Sequence, residues 1–267
     1  MRLTKQSGVK AGVAELSAIR YRGVPGGRKV VFLHGLSRGA ASAEPLVDAF
    51  GETWAVDHAG HGGSERLERY RAVDYAPPLI DWVAQNINEP FWFYGHSLGA
   101  MMAPLVAAAL PERVAGLILE DPPFSFMGPR VKDTDWYPYF AAVAQRAGTW
   151  MRPEELGEIS YQLRDGREVK LKDSRSAAML EKMARFFGML DPKIFDEVLA
   201  GRWMDGYEWP GLQHPCLVLQ ADAAQGGMLA DADIPAGARV VKMDGVGHLM
   251  HWQAPERVLA AIAAQGW

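Results

Sequence analysis

Cysteine is nearly absent: the 267 residues contain one, Cys216. An internal disulfide is excluded, and without CxxC or Cys/His spacing around that residue a structural zinc site is not expected. Its setting in HPCLVLQ reads as a buried strand, where a thiol is an inert core residue. Such usage suits a reducing compartment, and the expectation is a soluble, cytoplasmic protein. No apolar run reaches the length of a membrane span, and the opening MRLTKQSGVKAG lacks the apolar stretch of a secretory signal. Charge of one sign is not concentrated either. With 28 basic against 32 acidic residues, a formal charge of -4 and no cluster, nothing points to nucleic acid or an anionic membrane as partner. Neither GxxxxGK nor GxGxxG occurs, so no nucleotide cofactor is expected. Internal repeats and low-complexity tracts are missing, and no pair of carboxylates marks a sugar site. The expected partner is a small-molecule substrate, with no cofactor and no metal.

What is present is apolar sequence, 49% of the chain, enough for one substantial core in one domain or in a domain with an insertion. Short apolar runs alternate with helical patterns, which predicts an α/β sheet with crossover helices. Strands are expected at residues 13–21, 29–33, 53–57, 91–95, 116–120, 216–220 and 238–243, and helices at 41–50, 74–87, from Ser97 to Leu110, and at 254–265. Several strands are continuous hydrophobic runs, as where both sheet faces are covered.

The alternation breaks after Pro123 and resumes near Pro215, leaving residues 124–214 as helices and loops between two strands. This insertion is rich in Trp, Tyr, Phe and Met. Most of those side chains are expected to form its own small core. Some fraction of them should face the sheet and close an apolar pocket over the carboxyl ends of the strands.

The stretch FWFYGHSLGAMMAPL, residues 91–105, runs from strand-forming aromatics through Gly-His-Ser-Leu-Gly straight into a helical pattern. Gly-x-Ser-x-Gly between a strand and a helix holds a serine in a strained turn with its hydroxyl exposed. A serine that merely caps the helix is the competing reading. Four further blocks accompany it: HGLSRG, DHAGHGGS, PERVAGLILEDPP and GVGHLMHWQAPERV. With these five blocks in this order the chain resembles the α/β-hydrolase family over most of its length. The resemblance implies an α/β-hydrolase fold: a mostly parallel central sheet flanked by helices, with a helical cap inserted after the sixth strand of the family's count. Residues 1–123 and 215–267 would form the core and 124–214 the cap.

The resemblance also implies a set of site residues. Ser97 would be the nucleophile, activated by a base because a free serine hydroxyl is a weak one. His248, on the glycine-rich loop after the last strand, would be that base, since imidazole exchanges protons near neutral pH. His251 competes for the role, while His34, His58, His61 and His96 read as loop-shaping residues. The backbone N–H groups of Leu36 and Leu98 would form the oxyanion hole.

The third member departs from the commonest pattern. The usual acid position after the seventh strand falls on Ala224, with Asp222 two residues before it. A minority of the family carries the acid after the sixth strand, about 24 residues beyond the nucleophile, and Asp121 occupies that place. Asp121 is preferred, with Asp222 and then Glu120 as alternatives; Asp121 could instead shape a strand-end turn and Asp222 an Asx turn.

The implied function is a metal-independent serine hydrolase cleaving a carboxylic ester of a small apolar or aromatic molecule. A lactonase, an amide or carbamate hydrolase, or a C–C bond hydrolase would use the same residues. From another class comes a homologue that binds a small molecule without turnover.

Overall fold

The computed structural model describes residues 13–266; the amino-terminal stretch read above for a secretory signal, residues 1–12, and residue 267 lie outside them. Five strands come first: β1 (Ala18–Arg22), β2 (Lys29–Leu33), β3 (Glu52–Val56), β4 (Phe91–His96) and β5 (Val114–Glu120), with helices α1 (Ala76–Asn86) and α2 (Leu98–Ala109) on either side of β4 in sequence. Between β5 and the next strand of the main sheet lie α3 (Trp136–Ala144), α4 (Pro153–Gly157), the hairpin β6 (Ser160–Gln162) and β7 (Glu168–Lys170), α5 (Leu171–Ser174), α6 (Ala177–Phe187) and α7 (Asp196–Ala200). The chain then returns through β8 (Cys216–Ala221) and β9 (Arg239–Met243) and ends in α8 (Met250–Gln253) and α9 (Pro255–Ala264).

Seven strands form one sheet in the order β1-β3-β2-β4-β5-β8-β9. Only β1 runs antiparallel to its neighbour; the other pairings are parallel. This is the α/β-hydrolase fold. Period-two alternation explains the continuous hydrophobic runs, because successive side chains enter cores on opposite faces. Val31, Leu33, Phe93 and Leu117 pack into one core, and Val30, Phe32, Tyr94 and Ile118 into the other.

Three expectations need correction. Residues 41–50 do not form an α-helix but two short 3-10 turns, Ala40–Ala43 and Val47–Ala49, bonded from residue i to i−3. Pro45, between them, supplies no N–H to continue a helical ladder. The first strand is shorter than 13–21, because Glu15 and Ser17 bond the loop after β3 instead: Glu65 N–H donates to Glu15 O at 2.9 Å and Asp57 N–H to Ser17 O at 2.8 Å. The segment between β5 and β8, read as helices and loops, also holds the antiparallel hairpin β6–β7.

Helix α2 lies against β4, β5 and β2. Its approach depends on both glycines of Gly-His-Ser-Leu-Gly. A Cβ on Gly99 would stand 2.0 Å from Leu33 O, and one on Gly95 2.4 Å from Gly99 O. Both obstacles are backbone and cannot swing aside. Gly99→Ala is accordingly expected to lower stability by about 1–3 kcal/mol, read as the shift in urea midpoint; an unchanged midpoint would contradict this packing.

Candidate active site

The turn from β4 to α2 holds Ser97 at φ 52°, ψ -113°, a conformation costing a non-glycine residue about 1–3 kcal/mol. Neighbouring strands hold it there: Ser97 N–H donates to Glu120 O at 2.9 Å and Gly99 N–H to His34 O at 3.1 Å. Only two other described non-glycine residues have positive φ, Ser37 at 62° and Asp121 at 44°. All three stand at the carboxyl ends of adjacent strands.

Those ends open into a cavity of about 740 Å³, mouth included, lined in part by Leu36, Ser97, Leu98 and His248. Leu98 begins α2, where the helix leaves its first N–H groups without intrahelical acceptors. Among the described residues neither the Leu36 nor the Leu98 N–H meets an acceptor.

Three carboxylates were candidates for contact with His248, and the one that makes it is Asp121: its Oδ2 lies 2.5 Å from His248 Nδ1. Asp121 is fully buried and also accepts backbone N–H groups from Met228 at 2.9 Å, Leu229 at 3.1 Å and Ala221 at 3.4 Å. Asp222 spends its two oxygens on Ala224 N–H and Gly245 N–H, each at 2.9 Å, which is an Asx turn tying two loops together. Glu120 accepts from the Tyr94 hydroxyl and lies 2.9 Å from His251 Nδ1. Burial first, and then the Glu120 charge, push the Tyr94 phenol upward, so it remains a donor. His251 is buried and stands apart from the cavity lining.

The fold and these positions can be set beside known proteins. The sequence profile of the Alpha/beta hydrolase family matches residues 30–261. The chain belongs to that family. A 2-(acetamidomethylene)succinate hydrolase from Mesorhizobium japonicum is 33% identical over 99 residues, 36% of this chain and 36% of that protein. The match thus spans about a third of that relative's length. Among solved structures, an N-formylmaleamic acid deformylase from Pseudomonas putida S16 superposes with a TM-score of 0.72 at 19% identity, covering 93% of this chain and 95% of that one. An esterase from Thermogutta terrifontis gives 0.65 at 20% identity, covering 99% and 97%. At such identities the likeness is one of fold.

Around the cavity the chain carries residues that sequence reading passed over. Arg38, Arg175, Gln225 and Gln253 line it beside Trp136, Tyr139, Phe140 and Trp203. Trp136 meets His248 edge to face, ring centroids 5.6 Å apart, and Gln253 Oε1 accepts Gly247 N–H at 2.8 Å, bracing the loop that carries His248. Arg38 stands in plain view within HGLSRG, where a lone cation amid small and apolar residues was the available signal. Nothing local marked Arg175. Of the aromatics between β5 and β8, Trp150 is exposed, while Phe186 and Phe187 join the larger core.

Among the described residues, the side chains whose donor atoms gather as metal ligands would are His96, Glu120 and His251, within 4.8 Å of one another. The Glu120 carboxylate there is already engaged by Tyr94 and by His251. No described helix is long and apolar enough to cross a membrane.

A second group, His34, His58 and His61, is packed edge to face or tilted and fully buried under the loops after β2 and β3. His34 Nδ1 donates to Gly35 O at 2.8 Å while its Nε2 accepts His58 N–H; His61 Nδ1 donates to Ala59 O at 3.0 Å while its Nε2 accepts Ser37 N–H. The His34 and His61 rings are thereby held neutral, since a second proton on either would face an N–H donor. Burial, reinforced by His61, pushes His58 down to about 3; burial likewise takes His61 to about 4 and His34 well below its ordinary value. Unfolded, these rings bind a proton near pH 6.5. Below that value the unfolded chain holds more protons, so stability present at neutral pH is lost as pH falls toward 3–4, by up to about 1.4 kcal/mol per pH unit per histidine. The urea midpoint should therefore fall continuously from about pH 7 to about pH 5; a flat midpoint would show that these rings accept protons without cost.

Proposed function

We propose that the protein is a serine hydrolase cleaving a carboxylic ester, or a related acyl compound, of a small apolar or aromatic molecule. The observation that carries this reading is the Asp121–His248 contact behind a cavity shared with Ser97, Leu36 and Leu98. Asp121 engages Nδ1 of His248, which orients the ring and leaves Nε2 to take the Ser97 proton. The Ser97 oxygen then attacks the substrate carbonyl carbon, and the N–H groups of Leu36 and Leu98 stabilise the negative oxygen that forms. Collapse breaks the bond to the leaving alkoxide, which receives the proton from His248. A water molecule, deprotonated by His248, attacks the acyl-enzyme and frees the acid and Ser97.

Residues 124–214 act in this reading as a cap whose Trp136, Tyr139, Phe140 and Trp203 supply the apolar walls of the cavity. No step requires a metal ion. The strain at Ser97 supports the proposal, because its cost is hard to account for by helix capping: the Ser97 side chain makes no cap bond to α2.

A rate panel of p-nitrophenyl esters from acetate to decanoate tests the proposal. Ser97→Ala is expected to lose at least about a thousandfold in kcat; wild-type turnover that persists in the variant would remove the serine from the mechanism. Asp121→Asn should cost about 10²–10⁴-fold and Asp222→Asn little, whereas the reverse order would move the acid to the β8 loop. Incubation with EDTA should leave the rate unchanged, and a loss restored by zinc would refute a metal-free reaction.

A further inference from the structure

Two guanidinium groups stand in the cavity wall, and no carboxylate lines it. Arg38 is only 6% exposed. Its Nη1 donates to the Ser37 hydroxyl at 2.9 Å and to Ser37 O at 3.1 Å, and its planar head lies over Trp252 at 5.4 Å. Trp252 is itself held by its Nε1–H donating to Ser42 O at 3.2 Å. Arg175, just before α6, is half-buried, and its Nη1 donates to Ser174 O at 2.9 Å. The Nε of each arginine is buried without a partner. Neither forms an ion pair among the described residues, whereas Arg20, Lys29, Arg71 and Lys170, also half-buried, do; Arg113 and Lys182 do not, but they do not line the cavity.

A buried cation without an anion is costly, and the usual remedy is a carboxylate of the protein itself. Here the two like charges are also near enough to oppose each other. Burial lowers the Arg38 guanidinium, Tyr139 counters that, and the charge of Arg175 adds to it. The loop is strained to hold this arrangement, since Ser37, immediately before Arg38, sits at φ 62°. Ser37, Trp252 and Tyr139 offset part of this cost, but no anion lines the cavity beside the two guanidinium groups. An anion entering the cavity would supply the missing charge.

We propose that Arg38 and Arg175 form a carboxylate-binding pair, so that the molecule cleaved at Ser97 carries a free carboxylate besides its scissile acyl bond. The inference rests on the reading of Ser97 as nucleophile for its reaction, though not for the binding itself. Two guanidinium groups in the wall of one cavity offer planar N–H edges of the kind that pair with the two oxygens of a carboxylate, while a phosphate, with more oxygens and more charge, calls for more donors. The apolar walls then hold the body of the molecule. The substrate class becomes half-esters of dicarboxylic acids and acylated compounds with an acid group, in preference to plain alkyl esters.

The test compares mono-p-nitrophenyl succinate, glutarate and adipate with p-nitrophenyl butyrate, valerate and hexanoate, which have the same chain lengths and a methyl in place of the carboxylate. Wild type should favour at least one half-ester over its neutral counterpart by about tenfold or more in kcat/KM, mainly through KM, and the ratio should collapse toward one in Arg38→Met and in Arg175→Met. Arg175, half-buried and bonded only to its neighbour's carbonyl, keeps the test valid should Arg38→Met fail to fold. A wild-type ratio at or below one for all three pairs, or a ratio unchanged in Arg175→Met and in a folded Arg38→Met, overturns the proposal. Thermal shifts of the Ser97→Ala protein with monomethyl glutarate and with methyl valerate separate the two readings. Stabilisation by the acid alone, lost on adding Arg175→Met, with no ester turned over by wild type, sinks the hydrolase and keeps the carboxylate pair. Ester turnover with no preference and no acid-specific shift does the opposite.

Discussion

The structure depends on one buried carboxyl group. Asp121, fully buried at the end of β5, could not persist there unpaired, since an isolated carboxylate in the interior costs many kcal/mol or takes up a proton. Its oxygens are satisfied by the backbone of the loop after β8, through Met228 and Leu229, and by the imidazole of His248 from the loop after β9. One side chain thus fastens the exits of three adjacent strands. The carboxylate cannot move without releasing both loops, which is why the His248 ring has a fixed place at the cavity wall.

The preceding residue repeats the device on the other face. Side chains alternate along a strand, so Glu120 and Asp121 point apart, one to Tyr94 and His251, the other to His248. His96 lies between the two imidazoles, 4.8 Å from each by ring centroid, and its Nε2 donates to His248 O at 2.9 Å. The residue next to Ser97 therefore steadies the backbone of His248. Beneath the neighbouring loops the neutral cluster of His34, His58 and His61 does the same for the segment carrying Leu36, since His61 accepts the Ser37 N–H. The rings packed under these loops stay uncharged, while two arginines stand in the cavity wall.

That contrast bears on what the cavity selects. Apolar walls from α3 and Trp203 favour a carbon skeleton, and Arg38 and Arg175 favour an anion attached to it. The two preferences come from different parts of the chain: Arg38 from the loop after β2, Arg175 from the segment between β5 and β8. The preference for a carbon skeleton bearing an anion is therefore a joint property of the sheet loops and of the segment between β5 and β8.

What could be read from the sequence was whatever is encoded locally. Glycines at 95 and 99 around Ser97 announce a close strand–turn–helix approach, because the steric demand lies within five residues. Hydrophobic runs with Gly and Pro between them disclose the strands for the same reason, and Pro45 was the local mark, overlooked, that residues 41–50 would not close into an α-helix. Choosing among Asp121, Asp222 and Glu120 was beyond local pattern, for all three stand at strand ends one or two residues from equivalent positions. Resemblance ranked them; only the directions in which β5 and β8 present their side chains bring one against His248, 127 residues away in the chain. The pairing of Arg38 with Arg175 and the lack of an acid beside them lay further out of reach, since what surrounds a buried charge is a property of packing and of no segment alone.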